Sequence, residues 1–132
     1  MFTPALSQLL GIEVIRRYDD FVAARVAELQ PSAEVLARRI TRDFDGWTFN
    51  PPRGGLSLWA TLPNDISADA FVQAAGHRGV LVASGREFCP NDADCSSIRL
   101  PFTAPVDVLE TAMDRLAETW ASVYEPLART GG

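Results

Sequence analysis

Residues 56 to 62 read LSLWATL, and the apolar Leu56, Leu58, Ala60 and Leu62 alternate with Ser57, Trp59 and Thr61. Period-two alternation belongs to a strand with one face on a core and the other turned away. A second such run is SIRLPF, residues 97 to 102, where Ile98, Leu100 and Phe102 share one face. Two more short strands are expected. One lies around Trp47 to Asn50 and is stopped by Pro51 and Pro52; the RGG turn after them makes it a hairpin partner of 56–62. The other is VLVAS, a short buried strand that runs into Gly85. A sheet with one apolar face must be covered, so helices are required on that face.

The helical period supplies them. Ile15, Tyr18, Phe21, Val22, Val26 and Leu29 recur at steps of three and four across residues 6 to 29. Pro31 is expected to interrupt this helix, and Val35, Leu36 and Ile40 continue the pattern to about Asp43. The result is a long kinked helical arm or two helices end to end. A third helix has Ser67 as its N-cap, Asp69 in its first turn, Phe71, Val72 and Ala75 as its buried stripe and Gly79 as its stop. The last begins near Pro105 with Asp107 in its first turn. It carries Val108, Leu109, Ala112, Met113, Leu116, Trp120 and Val123 on its core side and ends before Pro126. The expected fold is α+β, a mostly antiparallel sheet of about four strands with helices on one face. Residues 1–132 form one domain, with the helical arm at about 6–43.

Composition narrows the function. The chain has 132 residues, 47% hydrophobic, with a net charge of -5. An acidic chain without a basic stripe argues against nucleic-acid binding, which needs phosphate neutralisation. The pairs Arg16-Arg17 and Arg38-Arg39 read as solvated helix faces beside acidic neighbours. No apolar run approaches the ~20 residues of a membrane span. MFTPALSQLL lacks the basic start and apolar core of a signal peptide, so a cytoplasmic location is expected.

All 12 basic residues are arginine, so the chain has no lysine with which to form a Schiff base. Its one histidine, His77, falls in the last turn of a helix, where a cation suits the helix dipole. Cys89 and Cys95 share one loop and, with His77 in a distant segment, do not make a metal-ligand set. Asp92, Asp94 and Asp107 show no metal-site spacing. Gly54 and Gly55 follow no strand–loop–helix pattern and read as a turn. No serine or cysteine stands in a nucleophile motif. The chain alone is not expected to be catalytic.

Arg99 is the candidate binding residue. It lies on the strand 97–102, on the face opposite Ile98 and Leu100. A guanidinium there presents a planar fork that can grip a carboxylate through two parallel bonds. Facing solvent without a ligand is the alternative that periodicity leaves open.

PRGGLSLWATLP, then GVLVASGREF, then IRLPFTAP ahead of an amphipathic helix resemble the C-terminal small domain of fold-type I pyridoxal-phosphate enzymes, the class I/II aminotransferases. The resemblance extends most closely to the aminotransferase-like domain of MocR-type regulators of the GntR superfamily. It covers residues ~45 to 125, and the helical arm resembles the segment linking large and small domains. The resemblance implies that Arg99 binds the α-carboxylate of an amino-acid substrate or effector. It implies pyridoxal 5'-phosphate in an intact, homodimeric parent, held by a large domain that this chain lacks, along with any winged-helix DNA reader. It implies no cofactor for this chain alone. A plain aminotransferase parent and a stand-alone module for small carboxylates are the alternatives. One departure stands out: Ser84 occupies the place before Gly85 where the family pattern has proline, which implies a softer loop.

Overall fold

A computed structural model describes residues 4–63, 66–89 and 96–128. The chain divides into two compact units, residues 1–31 and 32–132.

The first unit is helical. Helix α1, Ala5–Arg16, buries none of its residues. Arg17 separates it from α2, Tyr18–Asp43, and closes α1 by donating its N–H to the carbonyls of Glu13 and Ile15. The break therefore falls at Arg17, and α2 continues through Pro31, where an interruption was expected. Proline costs a helix interior about 3 kcal/mol. Beyond it, Val35, Leu36 and Ile40 are all buried, and such packing is what usually sustains a helix. The expected apolar stripe of 6–29 forms but is not covered. Of its members, Ile15, Tyr18, Phe21, Val22 and Val26 are exposed and only Leu29 is buried. Leu6, Leu9, Leu10, Ile12 and Val14 are exposed too, so apolar side chains surround α1 on every side.

The second unit is an α+β layer. Strands β1 (Thr48–Phe49), β2 (Ser57–Thr61), β3 (Ala83–Ser84) and β4 (Ser97–Pro101) form one antiparallel sheet in the order β1-β2-β4-β3. The expected hairpin of β1 and β2 is present. Leu58, Ala60, Ile98 and Leu100 point to the core and are almost fully buried. Helix α3, Ala68–His77, packs on β3, β4 and α4, and α4 spans Val106–Ala128. Leu109, Met113, Leu116 and Trp120 are its buried members. The core is dominated by aromatics. Trp47 meets Phe44 at 4.4 Å and both Phe71 and Trp120 at 5.3 Å, ring to ring.

The ends of α3 follow local chemistry. The Ser67 hydroxyl accepts the N–H of Ala70, as an N-cap should. At the other end Val80 N–H reaches the Ala75 carbonyl and Gly79 N–H the Gly76 carbonyl, each at 3.0 Å. This is a Schellman closure, with Gly79 at φ 76° in the left-handed region. A Cβ at Gly79 would sit 3.2 Å from a guanidinium nitrogen of Arg115. Gly79→Ala is expected to lower unfolding stability by about 1–2 kcal/mol, the left-handed cost of a side chain. Urea unfolding with an unchanged slope would register it.

Three further expectations are corrected. The strand VLVAS shrinks to Ala83–Ser84, because the Schellman closure turns Val80 inward and leaves Leu81 89% exposed before pairing with β4 begins. Helix α4 passes Pro126 and ends at Ala128; a proline in a last turn forfeits few backbone bonds. Arg38 is exposed as expected, but Arg39 is buried among carboxylates. The 129–132 tail and Cys95 lie outside the described residues.

Candidate functional site

The side of the sheet away from the helices is open, and Arg99 stands on it. Its position follows from alternation: Ile98, Leu100 and Phe102 are buried in the core, so Arg99 faces the other way and is half-buried. In register it lies between Trp59 on β2 and Ala83 on β3. One pair along, the Thr61 and Ser97 hydroxyls are hydrogen-bonded at 3.0 Å.

Phe88 completes the surroundings, and the sequence alone did not single it out. It closes a 3-10 turn, Gly85–Phe88, that follows β3 directly. Ser84 caps this turn by accepting the N–H of Arg86 at 3.3 Å. The residue expected to soften the loop thus anchors it. Arg86 in turn pairs with Asp69 at the start of α3. The Ser84 hydroxyl, and after it Arg86, hold the Asp69 carboxyl below its usual range. So tethered, Phe88 lays its ring 5.7 Å from the Arg99 guanidinium carbon and meets Trp59 edge-on at 5.3 Å. An arginine against an aromatic face keeps its charge and loses freedom.

On the β1–β2 side of Arg99 is a cavity of about 580 Å³. Asn50, Pro51, Leu56, Ser57, Trp59 and Arg99 are among its lining residues. The Ser57 hydroxyl is buried with no hydrogen-bond partner among the described residues. No carboxylate among the described residues pairs with Arg99. The arrangement offers a fixed cation on a rigid strand, beside an open hollow, and suits an anion with a body attached.

Other sequence candidates are not drawn into this site. His77 is exposed at the end of α3. Asp107 lies in the first turn of α4. Asp92, Asp94 and Cys95 lie outside the described residues. Among the described residues no group of histidines, cysteines and acids could hold a metal ion, and no helix is long and apolar enough to cross a membrane. Pyridoxal phosphate does not fit the residues present. The chain has no lysine for its aldehyde. The N-termini of α2, α3 and α4, the usual seats for phosphate, carry Asp19 and Asp20, Asp69, and Asp107 in their first turns.

No family model matches the chain. It is 34% identical over 76 residues to an aromatic-amino-acid aminotransferase of Thermococcus litoralis, a match that covers 57% of this chain and 18% of that protein. It is 27% identical over 127 residues to an uncharacterized aminotransferase of Saccharolobus solfataricus, covering 90% and 31%. Its fold superposes on the multiple substrate aminotransferase of Thermococcus profundus with TM-score 0.71 at 25% identity, over 83% of this chain and 28% of that one. For LysN, the alpha-aminoadipate aminotransferase of Thermus thermophilus, the TM-score is 0.77 at 22% identity, over 91% and 32%. Its relatives, in sequence and in structure, are aminotransferases. The chain spans less than a third of the length of the curated relatives it matches.

Proposed function

We propose that this chain is the small domain of a pyridoxal-phosphate-dependent, aminotransferase-like protein, and that Arg99 holds the α-carboxylate of its amino-acid ligand. The observation that carries the reading is the placement of Arg99. Its guanidinium is fixed on a sheet strand, braced by Phe88, without a carboxylate partner among the described residues and open to a cavity. The cofactor, the lysine that binds it and its phosphate seat belong to the remainder of the protein. When bound, the cofactor would supply the electron sink for chemistry at the amino acid. This chain's part is to bind and orient: two parallel N–H···O bonds from Arg99 fix the carboxylate and, with it, the carbon that reacts. The exposed apolar residues of α1 and early α2 suit burial against that remainder.

The relatives named above are enzymes, which favours an aminotransferase parent in the cytoplasm over the MocR-type regulator that the sequence suggests; a winged-helix segment in the parent would reverse that order. Arg99→Ala in the intact protein is expected to weaken amino-acid binding by about 1.5–3 kcal/mol, the scale of a charged hydrogen bond. Arg99→Lys should recover only part of it, since an ammonium cannot form the fork. Amino-acid affinity read from the cofactor's absorbance checks this. An unchanged affinity in Arg99→Ala removes Arg99 from the role.

A further inference from the structure

The cavity beside Arg99 carries a single charge. Among its lining residues Arg99 alone is ionisable; the rest include Thr48, Asn50, Leu56, Ser57 and Trp59. Arg53, in the turn between β1 and β2, is exposed and does not line it. A carboxylate held by Arg99 would use the one cation present. A second acidic group on the same ligand would then enter the cavity with no counter-charge. A basic group would find no acid and would feel the repulsion of Arg99. Desolvating an unpaired charge is costly, whereas a neutral group avoids that cost.

The wall also offers something to a neutral group. Trp59 is 40% exposed beside Arg99, and Leu56 is 48% exposed on the cavity rim. Trp59 is held edge-on by Phe88 at 5.3 Å, so it presents an ordered apolar plane rather than a mobile one. An indole face contributes a large contact area at little entropic cost. Trp59 and Arg99 are register partners on adjacent strands, so the ligand's carboxylate and its side chain would be read by neighbouring residues of a rigid sheet.

We infer that this cavity selects an amino acid with an uncharged, apolar side chain, aromatic above all, and that Trp59 is the residue that determines the selection. The inference rests on the carboxylate role of Arg99 proposed above. Dicarboxylic and basic amino acids are discriminated against by the lack of any counter-charge.

The test is a titration of this chain, isotopically labelled, with phenylalanine, glutamate and lysine, followed by the NMR signals of the Trp59 indole and the β2 and β4 amides. Phenylalanine is expected to bind at least tenfold tighter than the other two. Trp59→Ala should weaken phenylalanine about tenfold and leave glutamate nearly unchanged. Leu56→Arg, at an exposed rim position, should supply the absent cation and shift the phenylalanine-to-glutamate ratio at least tenfold toward glutamate. If glutamate binds the wild-type chain as tightly as phenylalanine and Arg99→Ala abolishes both, the selectivity is overturned while the carboxylate role stands. If Arg99→Ala leaves all three ligands unaffected, or none binds, the carboxylate role itself falls and the selectivity with it. A Trp59→Ala variant that weakens all three ligands equally overturns the assignment of Trp59.

Discussion

Replacing Phe71 by alanine is expected to reduce the stability of the chain by about 3–5 kcal/mol, a large share of what a domain of this size possesses. Phe71 is fully buried on α3, and its ring touches both Trp47 and Trp120, at 5.3 and 6.1 Å between centroids. Those rings come from three separate segments: the approach to β1, α3 and the middle of α4. Trp120 stacks in turn on Tyr124. Truncation would leave a ring-sized void among rigid planar groups, which cannot collapse as aliphatic chains partly do. Chemical denaturation measures the loss. Phe71→Leu, which keeps most of the volume, should lose far less. If alanine and leucine cost the same, the aromatic contacts rather than the filled space hold these elements together.

Phe71 was legible in the sequence because its role depends on spacing along one helix. The same holds for Ile98, Leu100 and Phe102, whose alternation placed Arg99 on the opposite face without any knowledge of the sheet. Hidden were the features that depend on distant partners. Phe88 reads as one more aromatic in a loop. Only the capping of the Gly85–Phe88 turn by Ser84, and the Arg86–Asp69 pair beneath it, bring its ring to Arg99. The serine in place of proline was the available signal, since serine is a capping residue and a turn start was due there. Leu81 looked like the centre of a buried strand, yet its side chain is directed by the closure of the preceding helix. For α1 the periodicity was sound and the inference from it was not. An amphipathic pattern says that a face wants covering, and it is silent on which chain does so.

The open side of the sheet has the same character as α1. Trp59 is half-exposed, the Ser57 hydroxyl has no partner among the described residues, and the Arg99 guanidinium has no acid there. Each of these is unfavourable in a finished surface, and all three lie together. A packed aromatic core on one side and unspent polar and apolar groups on the other divide the labour of the sheet. The buried face makes the strands rigid. The open face uses that rigidity to hold a cation where a ligand and the rest of a larger protein can meet it.

Arg39→Ala is expected to destabilise the chain by about 2–4 kcal/mol, and by an amount that depends on pH. Arg39 is the most deeply buried cation among the described residues, with a side chain 6% exposed. Its guanidinium spans α2 and α4, bonding Asp43 and Glu110 at 2.5 Å and Asp114 at 2.6 Å. Breaking a buried ion pair by removing one partner costs roughly 3–5 kcal/mol. Glu110 is 35% and Asp114 68% exposed, so water softens the loss. Asp43, the least exposed of the three acids, sets the pH dependence. Arg42 first, and Arg39 with it, hold its carboxyl below the ordinary 3.8, against the opposing effect of burial. A carboxyl lowered in the folded state stabilises above its unfolded value, and the contribution fades as pH falls through the folded one. The gap between wild type and Arg39→Ala should therefore be full at pH 7 and shrink below about pH 4, where protonation removes the charge that Arg39 answers. Arg39→Met, which refills the space with apolar atoms, should recover packing but not the pH dependence. Unfolding free energies of the three proteins from pH 7 to pH 3 check this, and a gap that stays constant over that range would mean that Arg39 acts through packing alone.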